Sequence, residues 1–116
     1  MSGWFELSKG SDGQYRFALK AGNAETILSS EAYKTKASAE SGIASVQANC
    51  SANERYEKKQ AKNGKSYFTL KAANHQVIGT SQMYGTEQAR DDGIASVKSN
   101  GTTKTVKDNT GQGAAA

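Results

Sequence analysis

The feature that most constrains this fold is an internal duplication that spans most of the chain. The pentapeptide Gly-Ile-Ala-Ser-Val occurs at residues 42–46 and again at residues 93–97. When the chain is shifted against itself by 51 positions, residues 4–49 align without a gap with residues 55–100, and 17 of these 46 positions are identical. A unit of about 50 residues that occurs twice predicts two copies of one supersecondary structure.

Each copy is too short to bury a large core alone, because small units leave much of their surface exposed. We therefore expect one compact domain over residues 1–108, made of repeat one (4–50), repeat two (55–101) and a short final strand (103–107). An internal pseudo-dimer of this kind predicts a monomer in solution. The tail 109–116 is small, polar and glycine-rich, which predicts disorder.

Hydrophobic periodicity predicts three antiparallel strands at the start of each copy. Asp-Gly at 12–13 and Asn-Gly at 63–64 are pairs that close tight hairpins. The first strand of repeat two keeps only Tyr56 as an apolar residue, so we expect it to be more exposed than its counterpart in repeat one. The predicted inward residues are Phe5, Leu7, Tyr15, Phe17, Leu19, Ala21 and Ile27 in repeat one and Tyr56, Phe68, Leu70, Ala72 and Ile78 in repeat two.

The spacing of apolar residues then changes to that of a helix. Thr35 and Thr86 are suited to cap the two helices. The apolar stripe of the first helix is Ala39, Gly42, Ile43 and Val46, at positions i, i+3, i+4 and i+7. Glycine destabilises a helix interior by about 0.5–1 kcal/mol relative to alanine. Its repetition in the same frame therefore predicts a close contact at that point, helix on sheet or helix on helix.

Charge and composition exclude several classes of protein. The net charge is +4, and all of this excess comes from residues 54–116. No run of 18 apolar residues is present, so no membrane span is expected. The N-terminus lacks the pattern of a signal peptide, and the single cysteine permits no internal disulfide. These features predict a cytoplasmic protein.

Several runs resemble the YegP-like proteins, which are small bacterial proteins of unknown function. The runs in repeat one are residues 17–23, 30–33 and 42–46, and those in repeat two are 68–74, 81–84 and 93–97. The resemblance implies an α+β fold of two tandem β3-α-β repeats. It implies a single mostly antiparallel sheet, two helices packed on one face, and C-terminal strands exchanged between the repeats. It implies no activity. The family usually has Asn-Gly at the second turn, whereas this chain has Asn23-Ala24 and Asn74-His75.

Candidate catalytic groups are few, and we predict no enzyme activity. His75 aligns with Ala24, and Cys50 aligns with Gly101, so neither is repeated. A solvated turn histidine and a small packed cysteine are the simpler interpretations. The carboxylates of Glu6 and Glu57 are repeated, but on exposed strands they are more often solvated than catalytic. No motif for a metal, a cofactor or a phosphate is present, and we predict no catalytic, cofactor-binding or metal-binding residue.

The less ordinary feature is the predicted outer face of the sheet, opposite the helices. It carries aromatic and basic side chains together, a combination that single-stranded nucleic acids use. Leu28 and Val77 are also expected there, with Glu6 and Glu57 as charges that repel phosphate. Repeated tyrosines add to the candidate set, although packing at the sheet edge explains them equally well. The candidate binding residues are Trp4, Arg16, Lys20, Tyr33, Arg55, Tyr67, Lys71 and Tyr84.

Three functions compete on this basis. The leading hypothesis is a small non-enzymatic interaction module that binds a protein partner through the open sheet face or a sheet edge. The alternative is a weak, sequence-tolerant binder of single-stranded nucleic acid, helped by a second basic region along the hairpin at 55–65. The third is an enzyme that uses Cys50 or His75.

Overall fold

The computed structural model describes residues 3–110, which form seven strands and two α-helices. The elements are β1 (Trp4–Lys9), β2 (Tyr15–Lys20), β3 (Thr26–Ser29), α1 (Lys36–Asn49), a short 3-10 turn (Asn53–Arg55), β4 (Tyr56–Gln60), β5 (Ser66–Lys71), β6 (Val77–Thr80), α2 (Glu87–Asn100) and β7 (Val106–Asn109). The final strand begins at Val106, a few residues later than predicted. Residues 111–116 of the predicted tail lie outside the described residues.

All seven strands belong to one sheet, in the order β4-β5-β6-β3-β2-β1-β7. The repeats meet at its centre, where β3 and β6 pair antiparallel at Ser29 and Thr80. Every neighbouring pair is antiparallel except β1 and β7, which run parallel. The last strand of the chain thus joins the first strand of repeat one, which is the exchange between repeats that the family resemblance implies.

Both helices pack on the same face of the sheet and share one core. The stripe predicted for α1 is the set of residues that it buries, and α2 buries Gly93, Ile94 and Val97 at the equivalent positions. They meet Phe5, Phe17 and Phe68 of the sheet. Each large apolar side chain buried in this way stabilises the fold by about 1.5–3 kcal/mol. The predicted caps are confirmed, since the side chains of Thr35 and Thr86 accept hydrogen bonds from the first helical turns.

The repeated helix glycines make room for tyrosine side chains. A Cβ atom on Gly42 would lie 2.6 Å from the hydroxyl oxygen of Tyr33 and 2.8 Å from the ring of Phe17. A Cβ atom on Gly93 would meet the hydroxyl end of Tyr84. The close contact expected at these glycines is therefore present, and it is made by an aromatic side chain rather than by another backbone.

All four hairpin turns have a residue with positive φ, including the second turns, which lack the glycine usual in the family. Gly13 and Gly64 have φ of +80° and +84°, as their Asp-Gly and Asn-Gly pairs predict. Ala24 and His75 occupy the corresponding positions of the second turns with φ of 70° and 69°. Residues other than glycine reach this left-handed region only at a cost of about 1–2 kcal/mol. The second turns therefore keep the glycine-type conformation without the glycine.

The prediction that Leu28 lies on the outer face is wrong. The register between β2 and β3 shifts between Leu19 and Lys20, and this irregularity leaves the consecutive residues Ile27 and Leu28 both buried. Leu28 is fully buried and lies against Gly79, its counterpart in repeat two. A Cβ atom on Gly79 would be 2.6 Å from Leu28 Cγ, so one large side chain fills the space of two. Strict alternation along β3 could not reveal this.

Candidate binding site at the edge of the sheet

The two ends of the sheet differ, and the covered end shows how a strand is held there. At that end β7 lies along β1, with Val106 beside Phe5 and Asp108 beside Leu7. The Phe5 amide donates to Thr105 O at 3.0 Å, ahead of the strand pairing. Helix α1 holds the same segment from above. Gln47 Nε2 donates to Thr103 O at 2.7 Å, and Lys36 Nζ lies 2.5 Å from the Asp108 carboxylate.

At the opposite end, β4 has an uncovered edge. Within residues 3–110 it pairs with β5 alone, so the other side of β4 lacks a strand. A groove of about 340 Å³ opens there between β4 and α2. It is lined by Asn53, Tyr56, Lys58, Asp91, Ile94, Ala95 and Lys98. Exposed edges of this kind are the places where sheets accept a further strand.

The groove corresponds to the seat of β7 in repeat one, which is the edge of β1 together with the part of α1 that contacts β7 and the residues before it. Apart from Asn53, shifting the lining of the groove back by 51 positions gives residues of β1 and α1, and these include residues that contact β7 and the segment leading into it. Tyr56 corresponds to Phe5, whose amide binds the segment that leads into β7. Lys98 corresponds to Gln47, whose amide binds the Thr103 carbonyl. The groove is therefore the second copy of a seat whose first copy already holds a strand.

The floor of the groove is apolar and well anchored. The Tyr56 ring packs edge-on against Phe68 at 5.7 Å between ring centres, and its hydroxyl donates to Cys50 O at 2.6 Å. Burial raises the pKa of this tyrosine above its ordinary value. Ile94 forms part of the same floor. Since the ring and the hydroxyl are both held, Tyr56 presents a fixed apolar surface to the groove.

Charged side chains form the walls. Asp91 bridges Lys58 and Arg90, at 3.3 and 3.1 Å. The hydrogen bond from Lys58, followed by that from Arg90, holds the pKa of Asp91 below its usual value. The Lys98 ammonium lies 5.7 Å above the Tyr56 ring centre and contacts Asn53 Oδ1. The groove thus combines an apolar floor with donors and acceptors that can meet a polypeptide backbone.

The predicted outer face is also present, opposite the helices. One register row crosses all seven strands of this face: Lys107, Glu6, Ala18, Ser29, Thr80, Thr69 and Glu57. The residues at the centre of the row are small, and its ends are charged: Lys107 beside Glu6 at one end and Glu57 at the other. Trp4 and Lys20 pair beside it on one half of the sheet, and Lys71 lies beside Val77 on the other. Tyr67 pairs with Lys59 next to the β4 edge.

Acidic partners engage most of the polar groups on this face. Glu57 binds Lys71 at 2.9 Å and Lys59 at 3.4 Å, and the hydrogen bond from Lys71 is the main reason that the pKa of Glu57 lies below its usual value. Trp4 Nε1 donates to Glu6 at 2.9 Å, while Lys107 lies over the Trp4 ring at 4.0 Å. Arg16 is paired with Asp12. Arg16, Lys59 and Lys71 are therefore paired with carboxylates, whereas Lys20 contacts the Thr26 hydroxyl and Lys107 lies over an aromatic ring.

The structure does not bring all eight predicted residues together. Trp4, Arg16, Lys20, Tyr67 and Lys71 lie on strands of the outer face. Tyr33 and Tyr84 instead lie on the helix side, against the helix glycines. Arg55 lies in the 3-10 turn before β4, where its Nε donates to Asn49 Oδ1 at 3.2 Å. The repeat period relates the final strand to the strand at 55–59, but the sequence predicts a sheet edge as a binding surface only in general terms.

The two candidates for catalysis occupy unrelated environments. Cys50 is fully buried at the end of α1, and burial raises the pKa of its thiol, which disfavours the reactive thiolate. His75 is exposed at a hairpin. In the described part of the chain, no three histidine, cysteine, aspartate or glutamate side chains are grouped as metal ligands would be. No helix between residues 3 and 110 is long and apolar enough to cross a membrane.

The model of a family described as "Domain of unknown function (DUF1508)" matches the chain twice, over residues 11–57 and 61–108. The chain belongs to the DUF1508 family. Its relatives in this family include UPF0339 protein YegP of Escherichia coli K12, which is 71% identical over 95% of this chain and all of the relative. A UPF0339 protein of Shewanella oneidensis is 61% identical over 93% of this chain and 98% of its own.

Solved structures of DUF1508 relatives have the same fold. The solution NMR structure of yegP from E. coli, a protein of unknown function, matches with a TM-score of 0.92 at 70% identity, over 97% of both chains. That of the UPF0339 protein from S. oneidensis matches with a TM-score of 0.91 at 59% identity, over 97% of this chain and 96% of the other. The two matched DUF1508 units end within β4 and near the end of β7, which relates these two strands directly.

Proposed function

We propose that this protein is a non-enzymatic binding module that adds an extended segment of a protein partner to the uncovered edge of β4. The observation that carries the proposal is the asymmetry between equivalent seats. The seat on β1 holds β7, whereas the equivalent seat on β4 is an open groove. Strand addition of this kind derives affinity from backbone hydrogen bonds and specificity from alternate side chains.

The edge is suited to a regulated partner rather than to uncontrolled aggregation. β4 is short, and three of its five residues are the charged side chains Glu57, Lys58 and Lys59. Charges on an edge strand oppose indiscriminate pairing with other sheets. A partner must therefore match both the backbone of β4 and the groove beside it. This requirement supports a specific interaction.

A neutral peptide tests the geometry of the seat by itself. The probe has the sequence of residues 102–110 with capped ends and with Lys104→Thr, Lys107→Thr and Asp108→Thr, so that it keeps the valine and carries no charge. We expect this peptide, at millimolar concentration, to shift the backbone amide NMR signals of β4 and of the groove-lining turn of α2. An absence of shifts at β4 would contradict the proposal.

A blocking variant locates the binding. Ala95 is an exposed groove residue, and Ala95→Trp should fill the groove and abolish the shifts without disturbing the core. Ser99→Trp is the matched control, because Ser99 is exposed on the same helix but does not line the groove. Equal binding by the two variants would place the peptide elsewhere.

The alternative remains binding of single-stranded nucleic acid on the outer face, favoured by the aromatic rings of Trp4 and Tyr67 beside lysines. The ion pairs of Glu57 and the position of Lys107 over Trp4 weigh against it. Titration with single-stranded RNA and DNA at two salt concentrations separates the two functions. Contacts with phosphates weaken steeply as salt rises. Shifts on the outer face that depend on salt would favour nucleic acid over the β4 edge.

A further inference from the structure

We infer that the segment bound at β4 carries its charges in the order opposite to that of β7: an acidic residue first, a β-branched apolar residue in the middle and a basic residue last. This inference rests on the proposed function and specifies the chemistry of the partner. Its basis is the alignment of the two seats, in which equivalent positions carry different charges.

The first difference lies where the strand enters the seat. In repeat one the neutral Gln47 amide binds the Thr103 carbonyl, and Lys104 follows in the chain. In repeat two this position is Lys98. An ammonium group can donate to a backbone carbonyl as the amide does, but it repels a lysine in the place of Lys104 and attracts a carboxylate there.

The second difference lies where the strand leaves the seat. In repeat one Lys36, the first residue of α1, forms an ion pair with Asp108. The equivalent first residue of α2 is Glu87, which is exposed. An aspartate in the place of Asp108 would meet a carboxylate there. A lysine or an arginine would restore the ion pair with the opposite polarity.

Between these two ends, Lys58 takes the place of Leu7, which lies beside Asp108 in repeat one, but Asp91 already engages the charge of Lys58. Lys58, Arg90 and Asp91 form one connected group in which Asp91 binds both cations. On the outer face, Lys59 is paired with Glu57. The middle of the seat is formed by Tyr56, which takes the place of Phe5, and Phe5 lies beside Val106. A β-branched apolar residue is therefore expected at the centre of the bound segment.

The same charges disfavour a second copy of this chain as the occupant. A β7 strand from another molecule, bound parallel to β4, would place Lys104 near Lys98 and Asp108 near Glu87. Both contacts join like charges, whereas β7 in its own seat meets Gln47 and Lys36. The two seats are thus distinguished by charge, and the one on β4 selects a different protein.

Two peptides of identical composition test the order of charges. One has the sequence of residues 102–110, and the other exchanges the two charged residues through Lys104→Asp and Asp108→Lys. Their net charges are equal, so long-range attraction is the same for both. We expect the exchanged peptide to bind β4 about three- to tenfold more tightly, as two exposed ion pairs that change sign would produce. Equal affinities, or tighter binding of the unexchanged peptide, would overturn the inference.

Reversing the protein's own charges provides the reciprocal test. The double variant Glu87→Lys and Lys98→Glu should prefer the unexchanged peptide. As a control, Glu31→Lys and Lys34→Glu reverse two exposed charges that do not line the groove and should leave the preference unchanged. If the Glu87→Lys and Lys98→Glu variant keeps the original preference, the inference fails while the proposed function stands.

Two further outcomes complete the design. If the neutral peptide fails to bind, the proposed function and this inference fall together. Sedimentation of the unliganded protein at the concentrations used for NMR tests the second-copy occupant. We expect a monomer, and a dimer that Ala95→Trp disrupts would overturn the inference, because the seat would then accept β7.

Discussion

Repeat one and repeat two share a helix stripe, capped helices and hairpins of one geometry, yet their outermost strands have different environments. Phe5 of β1 is fully buried under β7 and α1, whereas Tyr56 of β4 is only partly buried beside an open groove. The segment that follows α1 is β4, the first strand of repeat two. It therefore cannot cover the edge of β4 in the way that β7, which follows α2, covers the edge of β1. A tandem duplication therefore creates two equivalent seats, and within residues 3–110 only β7 is available to fill one of them.

The largest expected effect comes from removing the ring at each outermost strand. Phe5→Ala should destabilise the protein by about 3–5 kcal/mol, because it leaves a cavity in a closed part of the core. Tyr56→Ala should cost about half as much, because water can enter the space beside β4. Urea unfolding of both variants measures the difference. Equal losses would indicate that the β4 edge is as closed as the β1 edge.

Alanine substitutions of the helix glycines should have the next largest effect on stability. Gly42→Ala should destabilise by about 1–3 kcal/mol, because the new methyl group meets the buried Phe17 ring as well as Tyr33. Gly93→Ala should destabilise less. Its methyl group meets the Tyr84 side chain alone, with the hydroxyl oxygen well inside contact distance, and alanine gains up to about 1 kcal/mol of helix propensity. Thermal unfolding of the pair tests this order, and a larger loss for Gly93→Ala would contradict it.

A buried hydroxyl distinguishes the two halves of the outer face. Among the described residues, Thr69 Oγ1 is buried and has no hydrogen-bond partner, while the equivalent position in repeat one is Ala18. Thr69→Val keeps the shape and removes the unpaired group, so it should raise the free energy of unfolding by about 1 kcal/mol. Thr80→Val, on the neighbouring strand, is the control. If Thr69→Val destabilises the protein, its hydroxyl must have a partner.

Substitution by glycine at the second hairpin turn should change the stability of the protein in the same way in both repeats. Ala24→Gly and His75→Gly each replace a residue that has positive φ, and each should stabilise the protein by about 0.5–1 kcal/mol. Gly13→Ala, at the same conformation in the first hairpin, is the opposite control and should destabilise. Differential scanning calorimetry of the three variants is sufficient, and a loss on Ala24→Gly would refute the shared geometry.

The smallest effect concerns the ion pair that exists at one seat only. The hydrogen bond from Lys36 is the main cause that lowers the pKa of Asp108 to about 2 in the folded protein. Because the folded pKa lies below the unfolded one, the pair stabilises β7 fully above about pH 4, and this contribution is lost as the pH falls towards 2. We expect the protection of the β7 amides, relative to their intrinsic exchange rates at each pH, to fall over this range, so that exchange accelerates on that scale.

The variant Asp108→Asn provides the control for this pH dependence. It should show faster exchange in β7 at neutral pH and should lose the acceleration at low pH. The exchange of β4, whose ion pairs do not involve Asp108, should be the same in both proteins. A difference that persists at pH 2 would assign the effect to some other group.

Most of the fold could be predicted from the residues themselves. Alternation identified the inward side chains of β2 and β5, and the spacing around Gly42 identified the buried face of α1, because local periodicity directly reflects which side faces the core. Leu28 was misplaced because a register shift interrupts the alternation. The candidate surface was harder to predict: Tyr33 and Arg55 lie in segments that flank the strands, where periodicity carries no information about direction.

Two equal units that share one core follow directly from the residues, since a duplicated apolar pattern can be buried only by a duplicated structure. The same is true of the capped helices and the hairpins, which depend on residues close in the chain. Only the tertiary structure decided which edge of the sheet β7 would cover. That pairing joins residues about 100 positions apart, so it depends on how the repeats meet at β3 and β6. The open groove beside β4 is a consequence of that pairing.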